Sequence, residues 1–154
     1  MTERIAALAR GWLGTPYVHQ ASVQGAGTDC LGLIRGVWRA LYGAEPEPVP
    51  PYSPDWGEAG RDEVLMAGAI RHLCVVPDHQ PDAPGQVLLF RMRDGAIAKH
   101  LGILTATDPQ PSFVHAYDRH GVIESPLCGP WRTRVVRRFR FPCDDFNGDP
   151  SWQH

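Results

Sequence analysis

Several things are missing from this chain, and each absence removes a class of protein. Its four cysteines, Cys30, Cys74, Cys128 and Cys143, form no CxxC pair, and no histidine stands at zinc-finger spacing from them. Neither a structural metal site nor a disulfide framework is therefore expected. No apolar run approaches the ~18 residues of a membrane span. Met1–Trp12 lacks the apolar h-region of a secretory signal, so the chain is expected to be made in the cytoplasm without membrane insertion. The formal net charge of −2 leaves no broad basic field, which argues against direct nucleic-acid binding. No internal repeat is visible.

Proline and glycine, by contrast, are plentiful, at 15 and 16 residues, and they concentrate in Glu45–Pro54 and Pro77–Gly85, which read as loops. A length of 154 residues fits one domain. That domain is read as residues 1–142, with a C-terminal surface tail at 143–154.

Arg4–Leu13 carries Ile5, Leu8, Ala9 and Leu13 at helical spacing. Gly14–Thr28 reads as a loop. A second helix is predicted over Cys30–Tyr42, where Leu33, Ile34, Val37, Trp38 and Leu41 line one face. Thr28 or Asp29 would cap its start and Gly43 would end it. A third helix is predicted over roughly Gly60–Leu73, with Val64, Leu65, Ala69 and Leu73 inward. From Pro84 onward the pattern changes to short apolar runs and alternation. Strands are predicted at Gln86–Met92, His100–Ala106, Ser112–Tyr117 and Gly121–Ser125, the last two forming a hairpin around Asp118–His120. Thr133–Phe141 alternates, placing Thr133, Val135, Arg137, Phe139 and Phe141 on one face. Helices followed by antiparallel strands make an α+β layout.

The chemistry concentrates at Cys30. A free thiol is a weak nucleophile at neutral pH because little of it is thiolate. Helix N-termini favour the anion through unpaired N–H groups and the helix dipole, and the same groups can stabilise an oxyanion. The bland alternative is a small buried hydrophobe. The glycines of the preceding loop, Gly14, Gly25 and Gly27, permit close backbone approach that a core helix would not need. His100 opens an otherwise apolar strand and is a candidate base; a surface histidine at a strand end is the alternative. His115 lies in the next strand, where it can meet His100 across the pair and fix its tautomer. The alternative there is a half-buried histidine bonded to backbone. His72, His79, His120 and His154 show no partner pattern and read as solvated. Cys74, Cys128 and Cys143 read as packing or surface residues. The arginine-rich run Arg132–Arg140 reads as a solvated strand face or as a contact for an acidic neighbour or an anionic wall.

Four blocks stand in order: Gly14-Thr15-Pro16-Tyr17, Asp29-Cys30-Leu31-Gly32-Leu33, Lys99-His100-Leu101-Gly102-Ile103, and His115. Together they resemble the NlpC/P60 family of cell-wall endopeptidases. The resemblance implies a circularly permuted papain-like fold and cofactor-free hydrolysis of peptidoglycan stem peptides, usually between D-glutamate and a diamino acid such as diaminopimelate. It assigns Cys30 as nucleophile, His100 as base and His115 as the third polar residue. Tyr17 matches the tyrosine that lines the nucleophile pocket. Asp29 matches the aspartate that helps recognise a substrate's free amine. Most members have Ser after the cysteine, where this chain has Leu31. Asp-Cys-Leu-Gly-Leu followed by Arg35-Gly36-Val37-Trp38-Arg39 is similar to the branch carried by tailed phages and gene transfer agents. The expectation is a peptidoglycan hydrolase with tail-tip or baseplate partners, acting in the periplasm or cell wall. The alternatives are a structural tail-tip adaptor of low activity and a cytoplasmic amidase or acyltransferase on the same fold.

Overall fold

The helix that carries Cys30 forms where its apolar spacing places it, as α2 (Cys30–Tyr42). Asp29 Oδ1 accepts the Gly32 N–H at 2.8 Å and caps its start. Gly43, at φ 87°, ends it by donating its N–H to the Arg39 carbonyl. Both caps satisfy backbone groups that a helix terminus leaves open. In this computed structural model residues 2–46, 64–92 and 98–142 are described. Ahead of α2 lie α1 (Thr2–Arg10) and a small antiparallel ribbon of β1 (Ser22–Val23) and β2 (Gly27–Thr28). After it come α3 (Val64–His72), β3 (Cys74–Val75), β4 (Val87–Arg91), β5 (Ala98–Ala106), β6 (Ser112–Tyr117), β7 (Gly121–Pro126), α4 (Pro130–Arg134) and β8 (Val135–Arg140).

The six long-range strands form one antiparallel sheet in the order β3-β8-β4-β5-β6-β7. Helices α1 and α2 pack on one face of it over Leu33, Val37, Val87, Leu89, Ile103 and Val114. Leu88, Phe90, Leu104, Phe113 and Leu127 fill the other face beneath Trp131 of α4. Val87 through Phe90 are fully buried. This explains why β4 reads as a continuous apolar run rather than an alternation. Each large side chain buried this way contributes about 1.5–3 kcal/mol.

Two glycines of α2 set how closely its neighbours approach. A Cβ at Gly36 would stand 2.0 Å from the Trp12 ring, and one at Gly32 would stand 2.0 Å from the Ala21 carbonyl oxygen. The α+β layout of helices against an antiparallel sheet is therefore the observed one.

Some expectations shift. The first helix ends at Arg10, not Leu13, because Trp12 and Leu13 donate to Ala9 and Arg10 in a tightening turn. Cys74–Val75, which falls between the expected third helix and the Pro77–Gly85 loop, is a two-residue edge strand paired with β8. The expected start of the third helix, the Pro-rich Glu45–Pro54 stretch beyond residue 46, Cys143, His154 and the tail 143–154 lie outside the described residues. The alternation expected over Thr133–Phe141 fails twice. Thr133 belongs to α4, and a register shift between Leu89 and Phe90 places Val135 opposite Phe90, away from the face of Phe139 and Phe141. Nor is Arg138 solvated. It donates to Asp82 and to the carbonyls of Pro77 and Gln80, pinning the second Pro-rich loop.

Candidate active site

Cys30 is the first residue of α2, and β5 runs past it. Its sulfur lies 4.0 Å from the Lys99 carbonyl oxygen. The N–H groups of Leu101, Leu31 and Cys30 itself also bear on the thiol. The nucleophile candidate thus rests against the two peptide groups that bracket His100.

His100 stands opposite Phe90, whereas the next register pair is Arg91 with Ala98, so β5 bulges at Lys99. Regular alternation along β5 puts His100 on the Phe90 face and Leu101 toward the helices, and the bulge brings Ala98 to the helix side as well. His115 of β6 points to the same face, and the two imidazoles meet, His100 Nε2 to His115 Nδ1 at 2.8 Å. Gly102 makes room, because a Cβ there would stand 3.3 Å from the His115 Cβ. The second nitrogen of His115 meets Ser125 Oγ of β7 at 2.9 Å. With Nε2 engaged, Nδ1 is the other His100 nitrogen; the contacts of Cys30 run to the peptide groups on either side of His100, and among the described residues no hydrogen bond joins its sulfur to the imidazole.

Burial governs the protonation of all three groups. Cys30 is pushed up from 9.0 to about 12, by burial first and then by the charge of Asp29. The backbone N–H groups pull it the other way and lose. The thiolate expected from the helix start is therefore not the resting form, since burial of the whole side chain outweighs the N–H groups. His100 is held down to about 4 by burial. His115, fully buried, is held at about 2 by burial and by the neighbouring His100 and His120. At neutral pH the site holds a thiol and two neutral imidazoles.

Tyr17 is half-buried and pairs with Thr28 through an isolated bridge. Burial raises its phenol, followed by Cys30, Asp29 and Asp118. It therefore stays a proton donor on the Cys30 side of the site. Asp29 is 2% exposed. Its Oδ1 accepts from Gly32 and its Oδ2 from Gln20, each at 2.8 Å, with His19 Nδ1 3.8 Å away. The structure thus gives Asp29 a capping and loop-holding position.

Three further residues come from segments with no sequence signal for the site. Ser125 touches His115. Trp131 lies over both imidazoles, its ring 4.9 Å from His115 and 5.7 Å from His100. The Tyr117 ring stands 6.0 Å from His100 and 5.0 Å from exposed His120. A serine two positions beyond Ile123, which pairs with His115, was the available hint. Among the described residues no group of three or more His, Cys, Asp or Glu is placed to hold a metal ion. Nor, among the described residues, is any helix long and apolar enough to cross a membrane.

No family model matches the chain, and no curated protein matches it by sequence. Solved structures do match. NlpC1 from Trichomonas vaginalis superposes with a TM-score of 0.60 at 20% identity, over 91% of this chain and 44% of that one. An NlpC/P60 family protein from Bacillus cereus gives 0.62 at 16% identity, over 92% and 40%. The fold is that of the NlpC/P60 proteins. The NlpC/p60 domain of the peptidoglycan hydrolase SagA matches over 89% of this chain and 96% of its own length, with a TM-score of 0.56 at 21% identity. This chain spans less than half the length of the first two NlpC/P60 proteins and nearly all of the SagA domain.

Proposed function

We propose that this chain is a cysteine endopeptidase that hydrolyses peptidoglycan stem peptides, with the bond between D-glutamate and diaminopimelate as its target. The observation that carries the reading is the buried His100–His115 hydrogen bond on the strand against which Cys30 lies, within an NlpC/P60 fold. The Cys30 sulfur attacks the amide carbonyl as its proton passes to His100 Nδ1. The N–H groups at the start of α2 face the charge that develops on oxygen. The C–N bond then breaks, and His100 returns its proton to the leaving amine. Water, deprotonated by His100, attacks the thioester, and the C–S bond breaks to regenerate the thiol. His115 orients the base. Tyr17 and Asp29 form the substrate side of the site, where the Asp29 charge favours an amine while its oxygens stay engaged with Gly32 and Gln20.

Delivery on a phage-like or gene-transfer-agent tail, with baseplate neighbours, is the second half of the proposal. Its support is the Asp-Cys-Leu-Gly-Leu block and the Arg35-Gly36-Val37-Trp38-Arg39 run that follows it. Purified sacculi incubated with wild type should release muropeptides, and Cys30→Ala should release none. Identical products from both, or none from wild type, would end the catalytic reading. The neutral resting thiol favours one rival, a tail-tip adaptor of low activity. Particles carrying Cys30→Ala separate the two. Normal assembly with failed DNA delivery supports the enzyme, and failed assembly supports the adaptor.

A further inference from the structure

We propose that Ser125 is a positioning residue: by accepting a hydrogen bond from His115 it sets the tautomers of both imidazoles and leaves a bare nitrogen on His100 for the Cys30 proton. The inference rests on the reading of Cys30 and His100 as nucleophile and base.

Two junctions join the three residues, His100 Nε2 to His115 Nδ1 at 2.8 Å and His115 Nε2 to Ser125 Oγ at 2.9 Å. With both rings neutral, each carries one N–H, and only two proton arrangements satisfy both junctions. In the outward arrangement His100 donates from Nε2, His115 donates from Nε2, and Ser125 accepts. His100 Nδ1 is then a lone pair and can take the thiol proton. In the inward arrangement Ser125 donates, His115 donates from Nδ1, and His100 carries its proton on Nδ1. That form has nowhere to put the Cys30 proton. The working arrangement therefore needs an acceptor at the far end of the chain, and Ser125 is that acceptor.

Ser125 is partly buried, and among the described residues it is the only hydrogen-bond partner of His115 Nε2. His115 is fully buried. The Trp131 ring lies over it, and the Phe113 and Tyr117 rings flank it at 4.3 and 5.4 Å. Without Ser125 the outward arrangement would strand a buried N–H, whereas the inward one would strand only a lone pair. Orphaned buried N–H groups are the rarer and costlier kind. Removing the hydroxyl thus tips both rings toward the inert arrangement. When His100 is transiently protonated, the outward chain also turns the His115 and Ser125 dipoles so as to stabilise the charge.

The experiment measures ring ¹⁵N chemical shifts of His100 and His115 in the full chain, beside kcat and KM on muropeptides. Wild type should show both protons on Nε2. Ser125→Ala should move His100 toward the Nδ1–H form and lower kcat about 10- to 100-fold, the cost of one unsatisfied buried donor, with KM little changed. Ser125→Thr, which keeps the hydroxyl, should restore both. A wild type with His115 protonated on Nδ1 overturns the proposal before any variant is made, so a poorly folding Ser125→Ala does not shelter it. Wild-type tautomers in Ser125→Ala, or changed tautomers with an unchanged rate, also overturn it. Should wild type leave muropeptides untouched, the hydrolase reading falls while the ¹⁵N shifts still decide the role of Ser125.

Discussion

Lowering the pH from 6.5 to 5.0 should cost the fold about 2 kcal/mol through His100 alone. Burial holds this imidazole down to about 4, whereas a histidine in the unfolded chain titrates near about 6.5. Between those values the unfolded state binds a proton that the native state refuses. Stability is therefore intact above the unfolded value and lost progressively as pH falls toward the folded one. Each pH unit inside the window is worth about 1.4 kcal/mol, so 1.5 units give about 2 kcal/mol. His115 is held lower, at about 2, by burial, His100 and His120 in that order. Its window covers the same range, and it adds a loss of similar size. Glu45 is held down chiefly by its hydrogen bond from Arg35. Glu124 is also held low, its bonds from Arg10, Thr105 and Ser112 outweighing its burial. Both carboxylates lose their contribution only below about 4.5, so they are silent here. A combined loss of about 4 kcal/mol is large against a typical stability of about 5–15 kcal/mol. It would lower Tm by about 8–16 °C in a domain of this size. Urea unfolding followed by circular dichroism at pH 6.5, 5.5 and 5.0 measures it. A free energy constant to within about 0.5 kcal/mol over that range would refute the reasoning. So would a His100→Asn/His115→Asn double variant that keeps the wild-type slope.

Two further outcomes follow from the same geometry. A thiol moved from 9.0 to about 12 holds about 10³-fold less thiolate at neutral pH. Iodoacetamide should therefore label Cys30 slowly at pH 7 and about tenfold faster per pH unit up to pH 10, read by mass spectrometry of its peptide; a fast, flat rate across neutral pH would reveal a resting ion pair and sink this account. Gly36→Ala should destabilise by about 1–3 kcal/mol despite alanine's better helix propensity, because its Cβ would meet the Trp12 ring at 2.0 Å. Thermal melts should show the loss reduced in a Trp12→Leu background, and a Gly36→Ala protein more stable than wild type would contradict the packing.

How much of this was legible depended on whether the signal was local. The bounds of α2 could be read because its apolar stripe, the Asp29 cap and the Gly43 stop lie within fifteen consecutive residues. The β6–β7 hairpin was legible for the same reason. The meeting of His100 with His115 was expected only as a neighbour relation between strands. Its geometry depends on the β5–β6 register and on the room left at Gly102, neither of which shows in the apolar pattern of β5. The face of Val135 was misread because the register shift that reverses it is a property of the β4–β8 pair, not of β8 alone. Ser125 and Trp131 reach the imidazoles from β7 and α4, so only tertiary packing puts them there. The thiolate expectation failed for a related reason. A helix start is visible in sequence, but the complete burial that opposes it is not.

That burial constrains the order of events in the proposed chemistry. With the thiol near 12 and the imidazole near 4, moving the proton between them in the resting site costs of order 10 kcal/mol. Even a contact ion pair returns only about 4 kcal/mol at an effective dielectric of 20. A preformed thiolate is thus the losing state, and charge separation has to coincide with formation of the C–S bond. At that moment the negative charge moves from sulfur toward the substrate oxygen, beside the N–H groups of Cys30 and Leu31 at the start of α2. The positive charge appears on His100, whose Nε2 already points at His115. The same depressed imidazole therefore does two things at once. It keeps the base free of a proton throughout the neutral range, and it makes the fold yield to acid.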